Sequence, residues 1–197
     1  TVNAICSTDC PWCELAAQEF TRATGIKVFQ SHKATGEAQA QLRAEAANPK
    51  TDIWWGGTGD PFYQAAEVGL LDAYRPAYIN DLHGWAVRQY AMSQNYVGGF
   101  YTSAIGFGYN EEVLKKKSLP APRCWKDLLN PIYKGEIETS HPASSGTAYT
   151  ILAGLVQLMG EDAAFDYLKK LNKNVTQYTR SGQAQARSVG KGEVGIG

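Results

Sequence analysis

The chain lacks a surplus of charge, a long apolar run and any internal repeat. Lys+Arg and Asp+Glu both number 19, so the formal net charge is zero. That balance argues against nucleic acid as the main partner, because such proteins carry a basic surplus. No apolar stretch is long enough to span a bilayer. No charged segment followed by an apolar one opens the chain, so its first residues are those expected of a mature protein. Histidine is scarce and scattered, at His32, His83 and His141. A single C-x2-C without a second pair or nearby histidines argues against a zinc site. What is present, 44% hydrophobic and 19% charged residues, is the make-up of an ordinary globular protein. The length of 197 residues suits one large domain or two small ones. The run Lys115-Lys116-Lys117 reads as a solvated helix end at its negative pole.

Four cysteines, Cys6, Cys10, Cys13 and Cys124, allow three full pairings, and sequence does not choose among them. Cys10-Pro11-Trp12-Cys13 follows an expected strand at 2–6 and precedes an expected helix at 14–24. That is a setting in which a helix N-terminus lowers a thiol pKa and makes a redox pair. The alternative is one or two structural disulfides in an oxidising compartment.

The first half reads as alternating strands and helices. Strands are expected at 2–6, 26–29 and 52–55, and helices at 14–24 and 37–47. Leu15, Ala16 and Phe20 fall on one face of the first helix. A third helix is expected with Asp60 as N-cap and Pro61 at its first position. Such alternation implies a mostly parallel sheet covered by helices. Residues 74–82 are loop-like. Residues 96–100 and 104–110 read as two extended segments, and a domain crossover is placed near Tyr101 to Gly108. The second half predicts a short helix at 125–129, a strand at 135–139, and helices at 148–159, 161–171 and 182–189. Residues 194–197 look like a strand cut off in mid-run. The domains are expected at 1–103 and 104–197.

Ligands of parallel sheets sit beyond the carboxyl ends of strands. Four small polar loops fall there: Ser7-Thr8-Asp9, Gly56-Gly57-Thr58-Gly59, Ser144-Ser145-Gly146-Thr147 and Arg180-Ser181-Gly182. The third is the most informative, because strand, small polar turn and helix together point free backbone N–H groups at an anion. Ser145 and Thr147 add hydroxyls, and Gly146 permits close approach. A lone serine in such a loop is an ordinary helix cap. Four such loops point instead to a small polar or anionic ligand in a cleft.

An ordered set of runs carries a family resemblance. These are 20–28 (FTRATGIKV), 52–57 (DIWWGG), 67–71 (EVGLL), 106–110 (GFGYN), 125–129 (WKDLL), 133–137 (YKGEI) and 145–148 (SGTA). Over nearly the whole chain they resemble the extracellular solute-binding proteins of ABC importers, in the branch named for ferric-iron binding. The resemblance implies a two-lobed, type II periplasmic-binding-protein-like α/β fold. Each lobe would be a mostly parallel sheet flanked by helices, with ligand between the lobes and hinge closure upon it. It implies a periplasmic or other extracytoplasmic location, an ABC permease as membrane partner, a monomer at full length, and no catalysis. It also implies a longer chain, in which the second lobe and the return to the first are incomplete here.

Ferric binders of this branch hold iron with a His, a Glu and a later tyrosine pair, plus phosphate or carbonate. The His position falls on Asp9 and the Glu position near Gly57, and the tyrosine pair would lie past Gly197. The anion half falls on Ser145, Gly146 and Thr147, with Ser181 nearby. Fe(III) prefers anionic oxygen ligands, and glycine offers only its backbone. The departure favours a sub-branch similar to binders of phosphorylated solutes such as hexose phosphates, with no cofactor. The expected ligand residues are Ser7, Thr8, Asp9, Gly57, Thr58, Ser145, Gly146, Thr147 and Ser181. Two alternatives stand beside it: an Fe(III) carrier using Asp9 and a synergistic anion, and a thiol–disulfide oxidoreductase using Cys10 and Cys13.

Overall fold

A computed structural model describes all 197 residues. The chain divides into two compact units, Thr1–Ala104 and Ile105–Gly197, taken here one at a time.

Unit 1 is built on three parallel strands, β1 (Val2–Cys6), β2 (Val28–His32) and β3 (Ile53–Trp55), in the order β2-β1-β3. Ala4 pairs with both Gln30 and Ile53, and Cys6 with both His32 and Trp55. Strands joined in parallel need crossovers, supplied by α1 (Cys10–Thr24) and α2 (Thr35–Ala44). After β3 come α3 (Gly59–Glu67) and α4 (Gly84–Met92). The core is made of small side chains as much as large ones: Ile5, Cys6, Cys13, Ala38, Ala65, Ile79, Ala86, Tyr90 and Val97. Leu15, Phe29 and Ile53 remain exposed.

Several expectations for unit 1 are corrected. Helix α1 begins at Cys10, before Pro11, because proline in the first turn removes an N–H that has no helical acceptor anyway. Its sheet-facing stripe is Cys13, Ala16, Ala17 and Phe20, leaving Leu15 outside. Helix α3 begins at Gly59 with Thr58 in the cap position, so Asp60 lies inside the first turn. Strand β2 runs later than expected, at Val28–His32, since its register with β1 starts at Val2↔Val28. Helix α4 had no counterpart in the reading of the sequence. Cys6 and Cys13 are joined in a disulfide, and Cys10 and Cys124 are free. The redox pairing of Cys10 with Cys13 is thereby overturned: Cys13 already has its partner across the β1–α1 loop.

Unit 2 contains α5 (Glu111–Lys116), β4 (Ile137–Ser140), α6 (Gly146–Met159), α7 (Glu161–Leu171), β5 (Val175–Thr179) and α8 (Gly182–Gly190). Trp125–Leu129 and Pro131–Tyr133 are 3₁₀ turns. Strands β4 and β5 pair in parallel, with an irregularity between Ile137 and Glu138. Ile196 bridges Ile137 in parallel and Tyr109 antiparallel. Gly108 and Gly197 exchange N–H···O bonds of 2.8 and 3.0 Å. Residues 96–107 form no regular strand, and pairing with residues 195–197 begins only at Gly108. The core gathers Leu114, Leu128, Tyr133, Ile137, Leu155, Tyr167, Leu171 and Ile196. Helix α5 ends in Lys115 and Lys116, where the cations face its negative pole.

Candidate functional site

In unit 1, three strand ends meet. Ser7 and Thr8 leave β1 buried. The Trp54 Nε1–H donates to Ser7 Oγ at 2.9 Å. His32 Nε2 lies 2.8 Å from the Thr8 carbonyl, which can only accept, so that nitrogen carries the hydrogen. Asp9 occupies the N-cap position of α1, yet its carboxylate makes no capping bond. Its carbonyl serves the helix instead, accepting from Trp12 and Cys13 N–H. Gly56 and Gly57 both have positive φ, 80° and 99°, where glycine carries no penalty. A Cβ on Gly57 would lie 2.8 Å from Thr35 Oγ1 and 3.2 Å from Ser7 Cβ. The loops after β1, β2 and β3 are thus packed together at one end of the sheet. The Gly57 N–H donates to Tyr101 Oη at 3.2 Å. Thr58 caps no N–H of α3, and its Oγ1 is buried without a partner.

In unit 2, two helix N-termini converge. Ser145 is buried at the N-cap of α6, and its Oγ accepts from Ala148 N–H at 3.3 Å. Helix geometry leaves the Gly146 and Thr147 N–H groups without intrahelical acceptors. Ser144 Oγ reaches the carbonyls of His141 and Arg180, at 3.2 and 2.9 Å, tying the two loops together. Ser181 holds the N-cap position of α8 with no side-chain cap bond. A Cβ on Gly182 would fall 2.6 Å from Thr147 Oγ1, so the two helix starts touch. Each helix N-terminus carries about half a positive charge. Beneath them lies a buried polar relay. Ser140 Oγ donates to Gln185 Oε1 at 2.6 Å, and Thr179 Oγ1 donates to the Ser181 carbonyl at 3.0 Å. The Ser140 and Thr179 hydroxyls lie 3.1 Å apart. This relay fixes α8 to the ends of β4 and β5.

The expected residues therefore fall into two groups. Ser7, Thr8, Asp9, Gly57 and Thr58 gather in unit 1, and Ser145, Gly146, Thr147 and Ser181 gather in unit 2. Ser7 and Ser145 each accept one hydrogen bond from the protein, which leaves the hydroxyl hydrogen and one lone pair of each for a ligand. Sequence reasoning missed Tyr101, His32 and Thr35 in unit 1, and Gln185 and Ser140 in unit 2, and it placed Gly182 in a polar loop without counting it among the ligand residues. The Ser-Gly pair at 181–182 repeats the Ser-Gly pair at 145–146 and was the available signal for Gly182. No group of three or more His, Cys, Asp or Glu side chains converges anywhere in the chain.

Two solved structures match the fold closely. The periplasmic binding protein P5PA superposes with a TM-score of 0.94 at 38% identity, covering 99% of this chain and 62% of that one. AfuA from Actinobacillus pleuropneumoniae, solved with exogenous fructose-6-phosphate bound, gives 0.88 at 41% identity, covering 100% of this chain and 62% of that one. A putative 2-aminoethylphosphonate-binding periplasmic protein of Salmonella typhimurium is 29% identical over 196 residues, or 98% of this chain and 54% of the relative. The chain thus spans little more than half the length of such relatives. The family model described as bacterial extracellular solute-binding protein matches residues 48–197. With one model over most of its length and two-unit α/β relatives over nearly all of it, the chain belongs to the bacterial extracellular solute-binding protein family.

Proposed function

We propose that this protein is the substrate-binding component of an ABC importer, capturing a small anionic, phosphorylated solute outside the cytoplasmic membrane. The carrying observation is the convergence of the α6 and α8 N-termini at Thr147 and Gly182. Free N–H groups and the positive ends of two dipoles meet there, backed by a buried polar relay. A phosphate or phosphonate dianion matches that field. The periplasmic names of the relatives, and phosphorylated or phosphonate ligands in two of those names, support the same reading. The partners are the solute and a membrane permease, and the working form is a monomer. The protein binds and releases, with no catalysis and no resident cofactor.

The donor chemistry favours this over ferric iron with phosphate or carbonate. Of the two aligned iron positions, Asp9 alone offers an anionic oxygen, and Gly57 offers none. The disulfide between Cys6 and Cys13 removes the dithiol on which an oxidoreductase reading rests.

Calorimetric titration of the full-length protein with fructose 6-phosphate, 2-aminoethylphosphonate, inorganic phosphate and ferric citrate tests the proposal. At least one phosphorus oxyanion should bind, raising stability by about 2.7 kcal/mol at a hundredfold excess over Kd. Thr147→Asp should weaken that binding at least tenfold, because it sets a carboxylate beside two helix N-termini. Unchanged affinity in that variant would overturn the assignment of this loop.

A further inference from the structure

Beneath the start of α8, unit 2 holds a chain of neutral polar contacts whose hydrogens can be counted. Ser140 and Thr179 are paired across β4 and β5, and Gln185 lies on α8. All three are buried. Ser140 Oγ lies 2.6 Å from Gln185 Oε1, the two hydroxyls lie 3.1 Å apart, and Thr179 Oγ1 donates to the Ser181 carbonyl at 3.0 Å. That carbonyl also accepts from Ala184 N–H at 3.2 Å.

Three contacts are made, and the two hydroxyls supply only two hydrogens. With Gln185 Oε1 toward Ser140, both hydrogens are spent at the ends, and the contact between the hydroxyls has none. Half a turn of the Gln185 amide replaces the oxygen by Nε2, which carries two hydrogens. Nε2 then donates to Ser140, Ser140 to Thr179, and Thr179 to the Ser181 carbonyl. Every contact now holds a hydrogen, and all the bonds run in one direction. Bonds linked in this way polarise one another, by about 10–30% each.

The chain ends at an informative place. The Ser181 carbonyl and the Gly182 N–H belong to one planar peptide group, coupled by resonance. A hydrogen bond into the oxygen draws electron density from the nitrogen, so the N–H becomes a stronger donor. Gly182 is the first residue of α8, and its N–H has no acceptor within the helix. It stands against the start of α6, where a Cβ would fall 2.6 Å from Thr147 Oγ1.

We propose that Gln185, Ser140 and Thr179 are positioning residues that drive a one-way hydrogen-bond chain into the Ser181 carbonyl and strengthen the Gly182 N–H toward a bound phosphoryl oxygen. The inference rests on the phosphorylated-solute reading given above. Neutral side chains then add to the attraction for an anion without placing a cation in the site.

The test uses the full-length protein, with inorganic phosphate, fructose 6-phosphate and 2-aminoethylphosphonate as probes. Thr179→Val removes the last donor at nearly constant volume. In the ligand-free protein the Gly182 amide proton should shift upfield in NMR spectra. In titration calorimetry, the probes that the wild type binds should bind about threefold to tenfold more weakly, the range of one hydrogen bond. Thr179→Ser keeps the hydroxyl and should recover both readouts. Ser140→Ala breaks the chain one link earlier without adding bulk, and should give the same two changes at smaller size even if Thr179→Val does not fold. A purely structural relay would lower the unfolding temperature and leave the Gly182 resonance and the affinities of the folded variants unchanged. That result would overturn this inference and leave the parent reading standing. Failure of the wild type to bind any phosphorus oxyanion would overturn both.

Discussion

The disulfide between Cys6 and Cys13 closes a short loop that contains Ser7, Thr8 and Asp9, three of the residues expected to meet ligand. Replacing both cysteines by alanine, in Cys6→Ala/Cys13→Ala, opens that loop in the unfolded chain. With a separation of seven residues, the loop-entropy relation gives a loss of about 2.5 kcal/mol at 25 °C. Both cysteines are buried, so removing their sulfurs adds a packing loss of the same sign. The stability of unit 1 should fall by that amount in urea, with a slightly steeper slope, because the opened loop exposes more surface when unfolded, and a midpoint lower by about 1–2 M. Reduction of the wild type should reproduce the shift, and the variant should ignore reductant. A loss under about 0.5 kcal/mol would refute the account, because it would mean the loop is already ordered without its cross-link. The single variant Cys6→Ala is informative in another way. It frees Cys13 one helical turn from Cys10, where residues three apart are neighbours. Peptide mapping after mild oxidation should then find a Cys10–Cys13 bond that the wild type does not contain.

Three further outcomes are expected. Gly57→Ala places a Cβ at positive φ against Thr35 and Ser7, and should cost about 1–3 kcal/mol in thermal unfolding while weakening ligand binding through the displaced loop. Burial, and secondarily the charge of Cys124, pushes the Tyr167 hydroxyl up to about 12, while it donates to the Trp125 carbonyl. Its neutral form is the one favoured by folding, so this contribution is complete below pH 10 and is lost as pH rises toward 12; Tyr167→Phe should flatten the alkaline limb of a pH–stability curve. Asp127 accepts the Arg123 and Cys124 backbone N–H groups, which hold its carboxyl below the ordinary value of 3.8. Its contribution is present above that value and lost as pH falls through the lowered one, so carboxyl NMR titration should find a depressed midpoint and Asp127→Asn should weaken the acid limb.

The alternation of strand and helix was legible because each element announces its own period or its own stop. Helix 161–171 was expected with the bounds it has, since Gly160 precedes it and its apolar residues recur at helical spacing. Strand β5 has no counterpart in the reading of the sequence, although Val-Thr-Gln-Tyr-Thr is rich in strand formers, because its central positions, Thr176, Gln177 and Tyr178, are exposed and break the apolar signal. The start of α1 was hidden by Pro11, which reads as a breaker and behaves as a first-turn residue. In the candidate site, the polar loops were visible as composition. Their supports were not. Nothing local marks His32 as the holder of the Thr8 carbonyl, or Tyr101 as the neighbour of Gly57, since both contacts join residues distant in sequence. Cysteine pairing has the same character: the C-x2-C spacing suggested a pair, and the buried end of β1 supplied a different one.

The paired hydrogen bonds between Gly108 and Gly197 carry a topological consequence. Residues exchanging both bonds in this way lie with Cα atoms about 5.5 Å apart. Gly108 and Gly197 are thus neighbours in space although far apart in sequence, so their contact closes a long loop of polypeptide. A covalent cross-link laid between these two segments would remove more chain entropy than the short loop between Cys6 and Cys13 does.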